Sequence, residues 1–536
     1  MSFILRKKRV KMTVEQICHI GKIELNDENT HIIKSYAEHI VPWLESDEFR
    51  EKWASKPYPP LINPEKIDFE GANALHAWTL NIPFPKYYDF VVFGSHGVGI
   101  TTAMNGYLWL CGAVPVGLSR TAKIDDKDED EKPSNKANYI NMLKALVPLK
   151  SYKETQAKKR EKNGEKEGEK MPFSHIYLRL NDFIADSDAK KLYSLIDASK
   201  ALYIVRDPIS NLKSLVNNPQ MIKLIKYDDS KELQDFALSF DSNPKQSLEA
   251  VIIYPQGGSF EKKKEQRVGE GGEIHVRPCI DSIDYWMLDN AQTFHDGVLF
   301  NLLSGSLKNI KLKQTSDFIG EKAYDCMCDI CEFFGISKPD ESLAEIFSKR
   351  AANSVGFLPI MIYANNKTKF FDGSYSGDKF EYKDIKNSAK IILSSAMDPL
   401  ATLSRYDISE YFTDIDGFDE NFMRLSADAN SLVTLLAPNM MTKLRAYIKA
   451  LIEAMDAVFK EHYKYRFSED DVLEYFKAHP KSRQVFSYVL NQHLTFLRAH
   501  KPKIIANYTW YQKYLEIAKD DDPLDTTQNG VSVTNF

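Results

Sequence analysis

Asp89-Phe-Val-Val-Phe-Gly-Ser-His-Gly-Val-Gly-Ile-Thr-Thr102 is the stretch on which the fold turns. An apolar run breaks into glycines, two threonines follow, and Ala103 to Cys111 continues as a helix-like segment. That order suits a strand–loop–helix phosphate cradle. Gly94, Gly97 and Gly99 let backbone N–H groups come close to an anion, and the next helix start adds unpaired donors and partial positive charge. Gly94, Ser95, Gly97, Val98, Gly99, Ile100, Thr101 and Thr102 are therefore the candidate cofactor-binding loop, with a threonine hydroxyl available to a phosphate. In the register Gly94-x4-Gly99 the loop overlays a Walker A pattern, but Ile100 stands where the lysine belongs. An ATPase or kinase of the usual kind is not expected.

A second stretch works with the first: Ala201-Leu-Tyr-Ile-Val-Arg-Asp-Pro-Ile-Ser-Asn-Leu-Lys-Ser214. A strand from Ala201 to Val205 ends in Arg206, and Pro208 suits the first turn of a helix. Ser214 follows Arg206 by eight residues, about two helical turns. An arginine at a strand end and a serine on the next helix can grip one phosphate from two sides, the guanidinium as a bidentate fork. A third stretch, Asn309-Ile-Lys-Leu-Lys-Gln-Thr-Ser-Asp-Phe318, precedes a segment from Glu321 to Ile336 that ends Cys-Glu-Phe-Phe-Gly-Ile. Strand–helix alternation of this kind predicts an α/β fold, a parallel sheet with flanking helices. Ligands of such sheets sit outside the carboxyl ends of the strands, where Gly94–Thr102, Arg206 and Asp317 would gather.

The three elements, in this order, resemble the sulfotransferase superfamily, a P-loop-related fold, over roughly residues 85–340. The resemblance implies that the loop reads a 5′-phosphosulfate and that Arg206 and Ser214 read a 3′-phosphate. It also implies that Ser316-Asp317-Phe318 and Phe333-Phe334-Gly335-Ile336 form the late strand–helix element. The implied donor is 3′-phosphoadenosine 5′-phosphosulfate. One departure matters: those enzymes place lysine or arginine two residues before the last loop glycine, and here that residue is Gly97. Arg120, Arg179 and Lys311 are candidates for a substitute cation.

A second resemblance rests on Tyr58-Pro-Pro-Leu-Ile-Asn-Pro64, Ala77-Trp-Thr-Leu-Asn-Ile-Pro-Phe-Pro85, Gly94-Ser-His-Gly-Val-Gly99 and the block Pro502…Trp510-Tyr-Gln512. These look like an uncharacterised bacterial family found around capsule and lipo-oligosaccharide loci, whose members are often labelled sugar transferases. Some transfer O-methyl phosphoramidate. This implies group transfer onto a surface glycan and leaves the donor open; together with the first resemblance it leads to an anionic group, sulfuryl first, moving from a nucleotide donor to a hydroxyl of a surface glycan precursor. It leaves room for a cytidine- or uridine-diphosphate-activated donor. The reading from another class is a non-catalytic nucleotide- or partner-binding module in polysaccharide assembly, which the missing loop lysine supports.

Composition narrows the field. At 536 residues, 43% hydrophobic and 12% aromatic, the chain is globular and large enough for several domains. A formal net charge of -5 gives no basic excess for nucleic acid. Six cysteines are too sparse for a secreted disulfide framework, so a reducing cytoplasm is expected. No apolar run reaches transmembrane length. The basic leader Met1–Met12 reads as a disordered extension, or as a peripheral tether to the inner membrane surface. The oligomeric state is not readable.

The expected organisation runs from a leader, helices and a Pro-rich arm over 1–87 to the α/β core over 88–338. A mainly helical C-terminal region follows over 339–518, as a cap or acceptor-binding domain, and a disordered tail covers 519–536. Charge-rich composition marks 121–171 and 218–280 as mobile insertions, the first with a short helix from Tyr139 to Leu149 and the second with a β-hairpin between Gln256 and Gly272. Ser468-Glu-Asp-Asp471 reads as a capping box, with Phe467 and Val472 as its staple.

For a base that takes a proton from a hydroxyl, the ranked candidates are His96, Asp207 and Asp317. The plainer readings are a packing role for His96 and an ion pair for Arg206-Asp207. Cys326, Cys328 and Cys331 read as buried helix residues, and no metal site is assigned. Trp510 and Tyr508 read as core aromatics, with stacking on a sugar ring as the alternative.

Overall fold

The computed structural model describes residues 12–119, 122–124, 131–163, 173–218, 220–221, 236–239, 243–254, 277–288, 293–348, 358–364, 389–396, 405–437 and 439–521. The basic leader up to residue 11, Arg120, the hairpin expected over 256–272 and the tail from 522 lie outside them. In chain order the described strands are β1 (Phe90–Phe93), β2 (Ala113–Gly117), β3 (His175–Leu180), β4 (Lys200–Val205), β5 (Gln220–Met221) and β6 (Phe236–Ser239). They continue with β7 (Ile252–Ile253), β8 (Asn309–Gln314), β9 (Ile360–Ala364), β10 (Ala389–Ser395), β11 (Tyr406–Asp407) and β12 (Met423–Ala427).

β1 is apolar at all four positions because both of its faces are buried, none of its residues being more than 1% exposed. It sits at the centre of a five-stranded sheet of order β2-β3-β1-β4-β8, with every pairing parallel. Phe93 aligns with Leu180 and Tyr203, and Val205 with Gln314. Residues 94, 181, 206 and 315 therefore leave the sheet along one edge. The chain steps from β1 out to β2, returns through β3 and crosses to β4, so the edge beside β1 is a topological switch point.

The two faces of the sheet feed different cores. Val91, Phe93, Leu178, Tyr203 and Val205 share one cluster with the N-terminal helices. Phe90, Val92, Tyr177, Leu202 and Ile204 pack with helices Asn105–Leu110 and Ala323–Phe334 on the other side. Helices Glu469–Ala478, Pro480–His493 and Thr509–Ile517 contribute Val472, Phe486 and Tyr514 to the first cluster. The end of the chain thus belongs to the core of the first sheet.

Three expectations change. Residues 135–163 form one helix, and its first half buries Tyr139, Leu143, Leu146 and Leu149. Its lysine-rich second half set the average composition of 121–171 and hid the apolar face. Residues 236–239 and 360–427 supply a second five-stranded sheet, β11-β12-β10-β9-β6. The sheet rests on helices Pro244–Val251 and Met440–Tyr463 over its own core of Ile391, Leu425 and Leu451. It mixes one parallel pair, β6 with β9, with antiparallel pairs. The helical C-terminal region thus begins after these strands. Finally, Asp521 is fixed by Arg483, whose Nε donates to Oδ2 at 2.7 Å, so order extends past 519. Among the described residues no helix is long and apolar enough to cross a membrane.

Candidate functional site

Gly94, Gly97 and Gly99 have φ of 156°, 84° and 93°, so the last two hold the left-handed conformation that glycine tolerates best. The helix that follows opens as a π turn over Ile100–Met104, with Ala103 and Met104 N–H both donating to Gly99 O at 3.0 Å. Thr101 and Thr102 fall in this turn. The first N–H groups of a helix have no partner within it, which suits them to an anion.

Gly97 is closed to any side chain. A Cβ there would run into Asn211 Oδ1, which is itself buried without a hydrogen-bond partner among the described residues. The neighbouring helix thus excludes a side chain at position 97.

Arg206 joins the loop to a cleft. Its Nη1 donates to Gly97 O at 2.7 Å, and Thr315 Oγ1 donates to Val98 O at 2.7 Å. The cleft, about 280 Å³, is lined at the strand ends by Arg206, Gln314, Thr315 and Ser316, and on its far wall by Asn507, Tyr508, Thr509 and Trp510. Tyr508 is buried there with a hydroxyl that has no hydrogen-bond partner among the described residues. The aromatic pair read as core or sugar-stacking is thus divided: Tyr508 is buried, whereas Trp510 is half-buried at the cleft.

Asp207 is a brace. Its Oδ1 accepts Ile209 N–H at 3.0 Å, capping helix Pro208–Val216, and its Oδ2 accepts Trp510 and Tyr511 N–H at 2.9 and 3.1 Å. Burial pushes its carboxyl above the usual range, while these N–H donors pull it back. These contacts cap one helix and tie down another, which argues against a base. Asp317 likewise caps the short turn Thr315–Phe318, accepting Gln314 N–H at 2.7 Å. Ser214 does not line the cleft. Ser210, one turn earlier, does, and its hydroxyl donates to Glu469 Oε1 at 3.0 Å.

His96 is the base candidate that acquires a partner. Its Nε2 lies 2.5 Å from Asp182 Oδ1 without hydrogen-bond geometry, so the pairing is one of charge, and both side chains are half-buried. Asp182 follows the end of β3 by two residues, so the strand-end rule that selected Arg206 would also have selected it. Beneath the loop, Ser95 Oγ donates to Asp296 Oδ1 at 3.0 Å and Tyr203 Oη to Asp296 Oδ2 at 2.7 Å. Asp296 is 1% exposed, and burial pushes its carboxyl up to about 7. His493 Nδ1 stands 3.9 Å from Asp296, and burial holds that imidazole down to about 3.

Of the substitute cations, Lys311 is bound to Asp329 at 2.7 Å and does not line the cleft. Arg179, near the end of β3 on the side of helix Asn105–Leu110, packs against Gly117, and its Nε has no hydrogen-bond partner among the described residues. It is the described candidate closest along its strand to the loop edge. Among the described residues no group of three or more His, Cys, Asp or Glu could hold a metal ion.

A family described as protein of unknown function (DUF2972) matches residues 314–520, under half of the chain. The matched segment begins at the strand-end wall of the cleft and extends past its far wall, while Arg206, Asp207 and Ser210 come from the unmatched part. No curated protein and no solved structure matches the chain.

Proposed function

We propose that the chain is a sulfotransferase-like group transferase that binds a phosphate-bearing nucleotide donor at the carboxyl edge of the first sheet. The observation that supports this reading is the hydrogen bond by which Arg206, a residue of the cleft, holds Gly97 O of the glycine loop. A donor would lay one phosphate or phosphosulfate on the loop and another on Arg206, with its base or sugar toward Trp510. Catalysis would rest on positioning and charge stabilisation. His96 would take the proton of an acceptor hydroxyl, and the Asp182 carboxylate beside its Nε2 would stabilise the imidazolium that forms. The hydroxyl oxygen would form the new bond to sulfur as the bond from sulfur to the bridging phosphate oxygen breaks. Sulfuryl is the favoured group; a cytidine- or uridine-diphosphate-activated phosphoramidate or sugar is the alternative donor. The favoured acceptor is a surface polysaccharide or lipo-oligosaccharide precursor.

The closure of Gly97 by Asn211 favours one rival, a nucleotide-binding module without turnover. A thermal-shift and calorimetric panel separates these readings: 3′-phosphoadenosine 5′-phosphate, cytidine mono- and diphosphate, uridine diphosphate and ATP, each against Arg206→Ala. Binding of the 3′-phosphorylated adenosine that the variant loses supports sulfuryl transfer. Binding of only a cytidine or uridine nucleotide redirects the donor. Binding without turnover of the activated donor, over a set of hydroxyl acceptors, supports the module. No binding by any member overturns the site.

A further inference from the structure

A second cavity, about 630 Å³, lies among the N-terminal helices and takes no part in the cleft. Its size is that of a small-molecule site. The floor is apolar: Trp43, Leu80 and Ile82 are 6%, 1% and 1% exposed. Trp43 Nε1 donates to Pro60 O at 2.8 Å, so the indole's polar edge is satisfied and the ring offers a ligand its apolar surface. Tyr36 stands beside it, its hydroxyl 3.1 Å from His76 Nδ1 and its ring edge-to-face with that imidazole at 5.7 Å. The rim is acidic. Glu38, Glu48 and Asp68 line the cavity together with one ammonium, Lys66, and the imidazoles of His39 and His76, and Lys52 holds Glu48 at 3.3 Å from outside the cavity.

We propose that this cavity binds a small organic cation, an ammonium or guanidinium on an apolar body. The apolar body would enter between Trp43 and Leu80. The charge would lie over the aromatic faces and among the rim carboxylates, both of which favour a cation. The same carboxylates repel phosphates, so this is not a second nucleotide site.

Three matched probes test the assignment by saturation-transfer NMR and calorimetry on the full chain: phenethylamine, phenethyl alcohol and phenylacetate. The amine is expected to bind about tenfold more tightly than the alcohol, with phenylacetate weakest. Combining Glu38→Gln with Asp68→Asn, both exposed and so tolerated by the fold, should remove most of that preference and leave the alcohol unchanged. Arg206→Ala should leave amine binding unchanged. Equal affinity for amine and alcohol, tighter binding of phenylacetate, no amine binding, or indifference to the double variant would each overturn the proposal.

Discussion

At the carboxyl edge of the first sheet Arg206, Thr315 and Asp207 are bonded to backbone of other elements, whereas in the N-terminal cavity Glu38, Glu48 and Asp68 line a space with an apolar floor. Arg206 holds Gly97 O, Thr315 holds Val98 O, and Asp207 holds three N–H groups from two helices. Such a site is set by atom positions and should fail abruptly when one is changed. The N-terminal cavity is set by summed charge and apolar area, and should weaken in graded, salt-dependent steps. The contrast is open to direct test.

The largest effect is expected from Arg206→Ala. Removing one member of a desolvated, hydrogen-bonded charge pair costs about 2–5 kcal/mol. Calorimetry with 3′-phosphoadenosine 5′-phosphate should show binding lost, and Arg206→Lys should recover only part of it because the fork is gone. Full recovery by lysine would mean that bulk charge governs both regions alike. Gly97→Ala comes next. A left-handed residue given a Cβ costs about 1–3 kcal/mol of strain, and here the Cβ also meets Asn211. Both the melting temperature and nucleotide affinity should fall. Adding Asn211→Ala should relieve the crowding and leave the strain; complete rescue would show that φ at 97 is unimportant.

Asp207→Ala follows. Each N–H left unsatisfied by it costs about 1–3 kcal/mol if it stays buried. The expected signature is local: faster proteolysis and amide exchange over 507–517, because the carboxylate ties that helix start to helix Pro208–Val216. Uniform loss of protection across the chain would instead make Asp207 an ordinary stability residue.

The same contrast explains what was legible in the sequence. Phe90–Phe93, the three glycines and Arg206 are local signals, and each sits where the strand-end reading places it. Ser468 and Asp471 form their reciprocal cap, a motif contained within four residues. The far wall of the cleft was not legible, since Asn507 and Trp510 reach Arg206 only across some three hundred residues of chain. The second sheet escaped for a similar reason: β6 is four residues long and pairs with β9, more than a hundred residues later. Its pattern carries no period long enough to read. Helix Asn135–Asn163 was obscured differently, by averaging an apolar half with a charged half. The N-terminal cavity draws on residues from Tyr36 to Ile82 without any motif at all.

A pH-dependent effect is expected from Asp296, which supports the loop through Ser95. Burial raises its carboxyl from 3.8 to about 7, against the lowering effect of the Tyr203 and Ser95 hydroxyls. Between about pH 4 and 7 the folded chain therefore keeps a proton that the unfolded chain has released. Stability from this group is present below the lower value and is lost as pH rises through the upper one. His493 works in the opposite sense: burial lowers it from 6.5 to about 3, so its contribution is present above 6.5 and lost as pH falls toward 3. The two slopes oppose each other, and the wild-type curve alone does not separate them. Asp296→Asn removes one and leaves the other. Its stability relative to wild type, from urea unfolding at pH 4.5, 6 and 7.5, should improve steadily with pH. Parallel curves would mean that the carboxyl under the loop does not titrate in this window, and that the loop is held by geometry alone.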